Sequence, residues 1–206
     1  MSDAPRTRWA TLADGGSAGA EAYQQRFDRL AAAGRDVHGE ADLVAHLAAP
    51  PARVLDAGCG TGRVAAELTR RGFRCVGVDA DADMVAVARR RDPETTYEVQ
   101  DLSRLDLSET FDLVVLAGNV IPLLAPGSLP RAMRRIGANL VPLGLVVAGF
   151  GLDADHLPAG CPVTSIEAYD RACQAAGLHP VRRYATWERT RWSAGAGYVV
   201  AVHSRR

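Results

Sequence analysis

Lysine is absent from this 206-residue chain, so all 24 of its basic side chains are arginine. Chemistry that runs through an amine side chain, such as a Schiff base or a lysine nucleophile, is thereby excluded. Net charge is absent as well, because 24 acidic residues balance the arginines. A neutral balance argues against a nucleic-acid partner, whose phosphates select a basic surface. Two arginine groups, Arg89-Arg90-Arg91 and Arg131 with Arg134 and Arg135, are local exceptions that read as solvated helix faces. The four cysteines (Cys59, Cys75, Cys161 and Cys173) form no C-x-x-C pair and no paired metal spacing. No metal site is expected, and a reducing, cytoplasmic location is the simplest account. No apolar run approaches the length of a membrane span, and the first twenty residues lack the apolar centre of a secretion signal.

What the chain has, at 48% hydrophobic residues, is enough apolar material for one substantial core. Residues 1–18 read as a flexible tail, with Asp14-Gly15-Gly16-Ser17 the least structured stretch. Residues 19–50 read as a helical lid. Its first helix covers 21–33, with Tyr23, Phe27 and Leu30 at helical spacing and Gly34 as the stop. Its second covers 40–47 and ends before Pro50-Pro51. Residues 51–206 then alternate strand and helix, the pattern of a sheet covered on both faces. Strands are predicted over 53–57, 74–78, 95–99, 111–116, 144–150, 181–190 and 198–203. Helices are predicted over 61–71, over 82–91 with Asp81 as cap, over 129–140 with Ser128 as cap, and over 164–176. The last of these opens on a Thr164–Glu167 capping box and stops at Gly177. The fold class is α/β, three layers, with a doubly wound sheet of seven strands.

The most informative segment is Val54-Leu55-Asp56-Ala57-Gly58-Cys59-Gly60-Thr61-Gly62-Arg63. A buried strand ends in an acid, passes through three alternate glycines and opens into a helix. Glycine lets the backbone turn sharply while a ligand lies against it, and the helix start aims free N–H groups at that ligand. The next strand, Cys75-Val76-Gly77-Val78, ends in Asp79, which is placed to accept hydrogen bonds from both hydroxyls of a ribose. Without a ligand, the same residues would make a tight turn and cap a helix. Together they point to a nucleoside site.

The run from Leu55 to Gly62 resembles the first motif of the class I S-adenosylmethionine-dependent methyltransferases. The dinucleotide fingerprint G-x-G-x-x-G would need a glycine where Arg63 stands, which favours a ligand with a methionine tail over one with a pyrophosphate. The resemblance extends from Val54 to the C-terminus. It implies a Rossmann-like sheet whose last strand is antiparallel, and S-adenosyl-L-methionine as donor, with S-adenosyl-L-homocysteine as product. It also implies a cofactor set of Asp56, Gly58, Cys59, Gly60, Asp79, Ala80, Met84, Asp101, Leu102, Ala117 and Asn119. Within that set, Asp79 takes the ribose, Ala80 and Met84 flank the adenine, Asp101 accepts from the adenine amino group and Ala117 offers its carbonyl to the ammonium. Met84 equally fits ordinary core filling, and Asp101 also fits an N-cap. Asn119 fits either a ligand contact or a turn-stabilising role.

The acceptor is expected to be a small molecule, because the segments outside these motifs are short. They are the lid with Tyr23, Arg26, Phe27 and His38, the loop 151–162, and the hairpin carrying Arg189, Arg191 and Trp192. Tyr23, Arg191 and Trp192 are the candidate substrate contacts; the Arg191–Trp192 pair fits an anionic, partly apolar acceptor and equally a solvent-facing turn. His38 and His156 are the candidate general bases if the acceptor must lose a proton. The Asn/Asp-Pro-Pro-aromatic box of enzymes that methylate nucleic-acid amino groups is replaced by Asn119-Val120-Ile121-Pro122, which counts against base methylation. Two other readings use the same residues: an NAD(P)-dependent oxidoreductase and a non-catalytic S-adenosylmethionine binder.

Overall fold

The computed structural model describes residues 6–12 and 17–206. The chain opens with one helical turn, α1 (Trp9–Leu12), then α2 (Ser17–Ala32) and α3 (Gly39–Leu47). Strand and helix then alternate through β1 (Arg53–Ala57), α4 (Arg63–Arg70), β2 (Arg74–Asp79), α5 (Ala82–Arg91) and β3 (Thr96–Val99). The second half runs β4 (Phe111–Leu116), α6 (Val120–Leu123), α7 (Leu129–Ala138), β5 (Leu140–Gly151), α8 (Ile166–Ala175), β6 (Leu178–Tyr184) and β7 (Tyr198–Arg205). The seven strands form one sheet in the order β3-β2-β1-β4-β5-β7-β6, in which β7 runs antiparallel to both of its neighbours.

Successive strand residues point to opposite faces, and both faces are buried. Val54, Leu113, Val115, Val147, Val200 and Val202 pack with α3 and α4 on one side. Leu55, Val114, Leu116, Val146, Ala148, Val199 and Ala201 pack with α7 and α8 on the other. Burial on both faces is why these strands read as continuous apolar runs rather than as alternating ones.

Several boundaries differ from the sequence reading. Residues 6–12, expected in a flexible tail, are docked on the domain. Arg8 N–H donates to the Leu123 carbonyl at 2.9 Å, and its guanidinium reaches the Pro122 and Leu124 carbonyls. Trp9 Nε1 donates to Asp81 Oδ2 at 2.9 Å. Positions 1–5 and 13–16, including most of the Asp14–Ser17 stretch, lie outside the described residues. The 19–50 lid divides in two: α2 covers the carboxyl end of the sheet, whereas α3 puts Ala41, Leu43 and Val44 into the core. The Arg89–Arg91 run is a solvent-exposed face, as expected, that also carries ion pairs to α2. Arg89 donates to the Tyr97 carbonyl, while Arg90 and Arg91 pair with Glu21 and Asp28 of α2. Helix α8 is capped by Ser165, whose Oγ accepts from Ala168 N–H at 3.2 Å, one residue after the expected cap. Strand β6 begins at the fully buried Leu178 and ends at Tyr184. The expected continuation to 190 instead turns back through an Ala185 N–H to Thr190 carbonyl bond, with Arg189 at φ +69°.

Candidate functional site

A cavity of about 430 Å³ opens beyond the carboxyl ends of β1, β2, β3 and β4. That is the end at which open α/β sheets bind ligands, and it straddles the strand-order switch at β1. Its floor is built from the tips of these strands: Gly58 and Gly60, then Asp79, Ala80 and Met84, then Asp101 and Leu102, then Ala117, Gly118 and Asn119. Its roof comes from the N-terminal segment, with Trp9, Tyr23, Arg26 and Phe27. Trp9, Tyr23 and Phe27 form an edge-to-face ladder with ring centroids 5.8 and 5.3 Å apart.

The glycine loop is left-handed at Gly58, Gly60 and Gly62 (φ +85°, +53° and +83°). A Cβ on Gly60 would point into the cavity, where its nearest neighbour is Tyr23 Cε1 at 3.8 Å. The backbone is therefore bare where a ligand would lie. Asp79 sits beneath it: Oδ2 accepts Gly60 N–H at 2.8 Å and Oδ1 accepts Asp81 N–H at 2.9 Å. Burial pushes the Asp79 carboxyl above its usual range, an effect offset in part by those two N–H groups. Each oxygen keeps a second lone pair for a further donor.

Asp101 lines the cavity and also caps the turn Leu102–Arg104, accepting Ser103 N–H at 2.7 Å. Asn119 lines it too, but its amide is already engaged. Oδ1 accepts Gly151 N–H at 2.7 Å and Nδ2 donates to the His156 carbonyl at 3.1 Å, with the backbone at φ +66°. It ties the end of β4 to the end of β5, the turn-stabilising role.

Six other candidates do not reach the cavity. Asp56 is buried under the loop, where Oδ2 accepts Ala65 N–H at 3.1 Å and steadies the start of α4. Cys59 turns its thiol into the cluster of Ala65, Val85, Ala88 and Tyr97. His38 lies at the α3–α4 junction, its Nδ1 4.0 Å from Glu67 Oε2. His156 pairs with Asp153 at 2.7 Å on an exposed loop. Arg191 bridges to Tyr184, and Trp192 packs on the core under the Arg183 guanidinium, 5.2 Å from the ring centroid. Both belong to the β6–β7 connection, and β6 is the far edge of the sheet, separated from β1 by three strands. Thr7, Trp9, Leu123, Leu124 and Pro158 line the cavity without having been singled out. Pro158 belongs to the 151–162 loop expected on the acceptor side, and for the N-terminal residues the one signal is a lone tryptophan in an otherwise polar stretch.

Arg63, which stands where a dinucleotide fingerprint has its last glycine, starts α4. It is held bidentately by Glu40 at 2.6 and 2.8 Å and lies 4.6 Å over the Phe27 ring. The close approach that such a glycine serves falls to Gly62, which is packed against the Tyr97 ring.

Burial pushes the Asp56 carboxyl up to about 7. An acid whose folded pKa exceeds its unfolded one binds its proton more tightly when folded. Its cost is therefore absent below about pH 4, grows between about pH 4 and 7, and is complete above. Asp56→Asn keeps an acceptor for Ala65 N–H. The variant is expected to gain on the parent by about 2 kcal/mol more at pH 8 than at pH 5. Urea midpoints at the two pH values check this, and a difference independent of pH would place the Asp56 pKa near its unfolded value.

The sheet order, the glycine loop and the Asp79 floor define a nucleoside-binding α/β domain of methyltransferase type. Residues 54–144 match a family described as a methyltransferase domain. A TehB-like S-adenosylmethionine-dependent methyltransferase from Corynebacterium glutamicum is similar at 35% identity, over 93% of this chain and 100% of that one, with a TM-score of 0.84. A demethylmenaquinone methyltransferase from Beutenbergia cavernae is 30% identical over 81% of this chain and 78% of its own. The dTDP-3-amino-3,6-dideoxy-alpha-D-glucopyranose N,N-dimethyltransferase of Streptomyces fradiae is 34% identical over 55% of this chain, which spans 47%, about half, of that relative's length. The chain belongs to the class I S-adenosylmethionine-dependent methyltransferases.

Proposed function

We propose that this chain transfers a methyl group from S-adenosylmethionine to a small-molecule acceptor bound under the α1–α2 roof. The observation that carries this is the pairing of a bare Gly60 backbone with the Asp79 carboxylate that holds it, both facing one cavity. Those residues fit the donor: the remaining lone pairs of Asp79 take the ribose hydroxyls, and the Gly58–Gly60 backbone with Ala117 lies along the methionine portion. Ala80 and Met84 flank the adenine, while Asp101 and the Leu102 N–H meet its edge. When bound, the donor supplies a methyl group already activated on a sulfonium. The protein's part is to align the acceptor and exclude water. Trp9, Tyr23 and Phe27 supply the apolar cover for that purpose. Four unpaired thiols support a reducing, cytoplasmic setting, and none of the described helices is long and apolar enough to cross a membrane.

Calorimetric titration with S-adenosylmethionine, S-adenosylhomocysteine, NAD and NADP tests the donor. Micromolar binding of S-adenosylhomocysteine without NAD or NADP binding is expected, and the reverse order would replace methyl transfer with hydride transfer. Release of S-adenosylhomocysteine across a panel of small acceptors then separates a catalyst from a binder.

A further inference from the structure

Subtracting the donor contacts proposed above leaves an acceptor compartment that includes Trp9, Tyr23, Arg26, Phe27, Val120 and Pro158. Two properties of this compartment are unusual for methyl transfer to a hydroxyl or an ammonium. Among the described residues, the whole cavity lining contains no histidine, glutamate or cysteine, and the chain has no lysine. Its only carboxylates, Asp79 and Asp101, accept backbone N–H groups and belong to the ribose and adenine contacts proposed above for the donor. The remaining titratable lining group besides Arg26 is the Tyr23 phenol, which burial pushes above its usual value, so it is a poor proton acceptor near neutrality. His38 and His156 lie elsewhere. Among the described residues, the acceptor side of the cavity therefore offers no side chain to receive a proton.

It does offer a cation. Arg26 lines the cavity and makes no ion pair among the described residues, whereas its neighbour Arg63 is locked to Glu40. A guanidinium beside an aromatic wall recognises a planar anion through charge-assisted, bidentate hydrogen bonds.

Resting on the methyl-transfer reading, we infer that the acceptor enters as a preformed anion on a planar, largely apolar body, an aromatic thiolate or carboxylate, with Arg26 as its specificity-determining residue. The balance of such a step needs no base. The acceptor's own lone pair forms the new bond to the methyl carbon, and the bond from that carbon to sulfur breaks with its pair staying on sulfur. The negative charge of the acceptor and the positive charge of the sulfonium cancel, and no proton leaves.

The test separates this inference from the donor reading. S-adenosylhomocysteine is first titrated alone; absence of binding would overturn the donor reading and the inference with it. Benzoate and benzamide are then titrated into the protein saturated with S-adenosylhomocysteine. Benzoate is expected to bind about tenfold more tightly, a modest preference because Arg26 is exposed. Arg26→Gln is expected to abolish that preference while leaving S-adenosylhomocysteine affinity within about twofold, and Arg26→Lys to restore part of it. Equal binding of the two ligands would overturn the inference. So would an Arg26→Gln variant that binds S-adenosylhomocysteine weakly yet still prefers benzoate, because Arg26 would then serve the methionine carboxylate. With donor present at pH 8, thiophenol should be methylated without proton release to a weakly buffered indicator. Faster methylation of phenol or aniline, both neutral at pH 8, would show that the compartment does not select a preformed anion and would refute the inference.

Discussion

Asp79→Ala is expected to raise the dissociation constant of S-adenosylhomocysteine about a hundredfold, while the fold survives within a few degrees of its melting temperature. The carboxylate is half-buried at the cavity floor and already satisfies two backbone donors, Gly60 N–H and Asp81 N–H. Its free lone pairs are the ribose acceptors of the proposed site. Hydrogen bonds to a charged group contribute about 1.5–3 kcal/mol each. Two of them, discounted for hydration of the emptied floor, come to about 2.7 kcal/mol, or a hundredfold. Stability changes less because the loss of two acceptors is opposed by removal of a carboxyl that burial already disfavours. Asp79→Asn should bind almost as poorly. Donors converge on both carboxylate oxygens, and an amide must point its NH₂ at one of them. Calorimetry on the parent and both variants decides the matter. An unchanged affinity in Asp79→Ala would move the ribose elsewhere.

The floor of the site was legible because backbone geometry and local sequence coincide there. Three alternate glycines followed by an acid at the next strand tip have few folded solutions, and Gly58, Gly60, Asp79, Ala80, Asp101 and Ala117 all line the cavity. Sequence proximity misled where a residue belongs to the loop's support rather than its surface. Asp56 and Cys59 sit within the motif, yet the alternation of β1 sends the first and the left-handed glycine turn the second inward, to the α4 terminus and to the Tyr97 cluster. The roof was the least legible part. Trp9 lies on a four-residue helix that carries no periodicity, and what holds it is a partner 72 positions away, Asp81. The exposed Arg89–Arg91 run hid its pairing for a related reason. Its charges are answered by Glu21 and Asp28 on a helix that only the tertiary fold brings alongside.

The edge of the sheet shows the same limit. Arg191 and Trp192 look like a recognition pair in sequence, but the order β5-β7-β6 carries their hairpin to the edge farthest from the nucleoside floor. Strand order depends on long-range pairing, and the sequence pattern that marks each strand does not state its place in the sheet.

Gly62→Ala should be strongly destabilising, by about 3 kcal/mol. The residue holds φ +83°, where an L side chain costs about 1–2 kcal/mol. Its added Cβ would stand 2.6 Å from the Tyr97 hydroxyl and 2.8–2.9 Å from the ring. That ring cannot swing away freely: it is buried, and its hydroxyl donates toward the Gly62 carbonyl and Asp92. Overpacking of this kind adds about 1–3 kcal/mol. For a domain of this length the sum corresponds to a melting temperature lower by about 6–12 °C. Gly60→Ala is the informative control, since its φ is also positive but its Cβ faces open cavity. It should cost about 1 kcal/mol of stability and most of the donor affinity, the opposite balance. A double-mutant cycle with Tyr97→Leu isolates the clash. Removing the ring should relieve Gly62→Ala by more than about 1 kcal/mol relative to additivity. Additive effects would mean that backbone strain alone, and not the packed Tyr97 ring, requires glycine at this position.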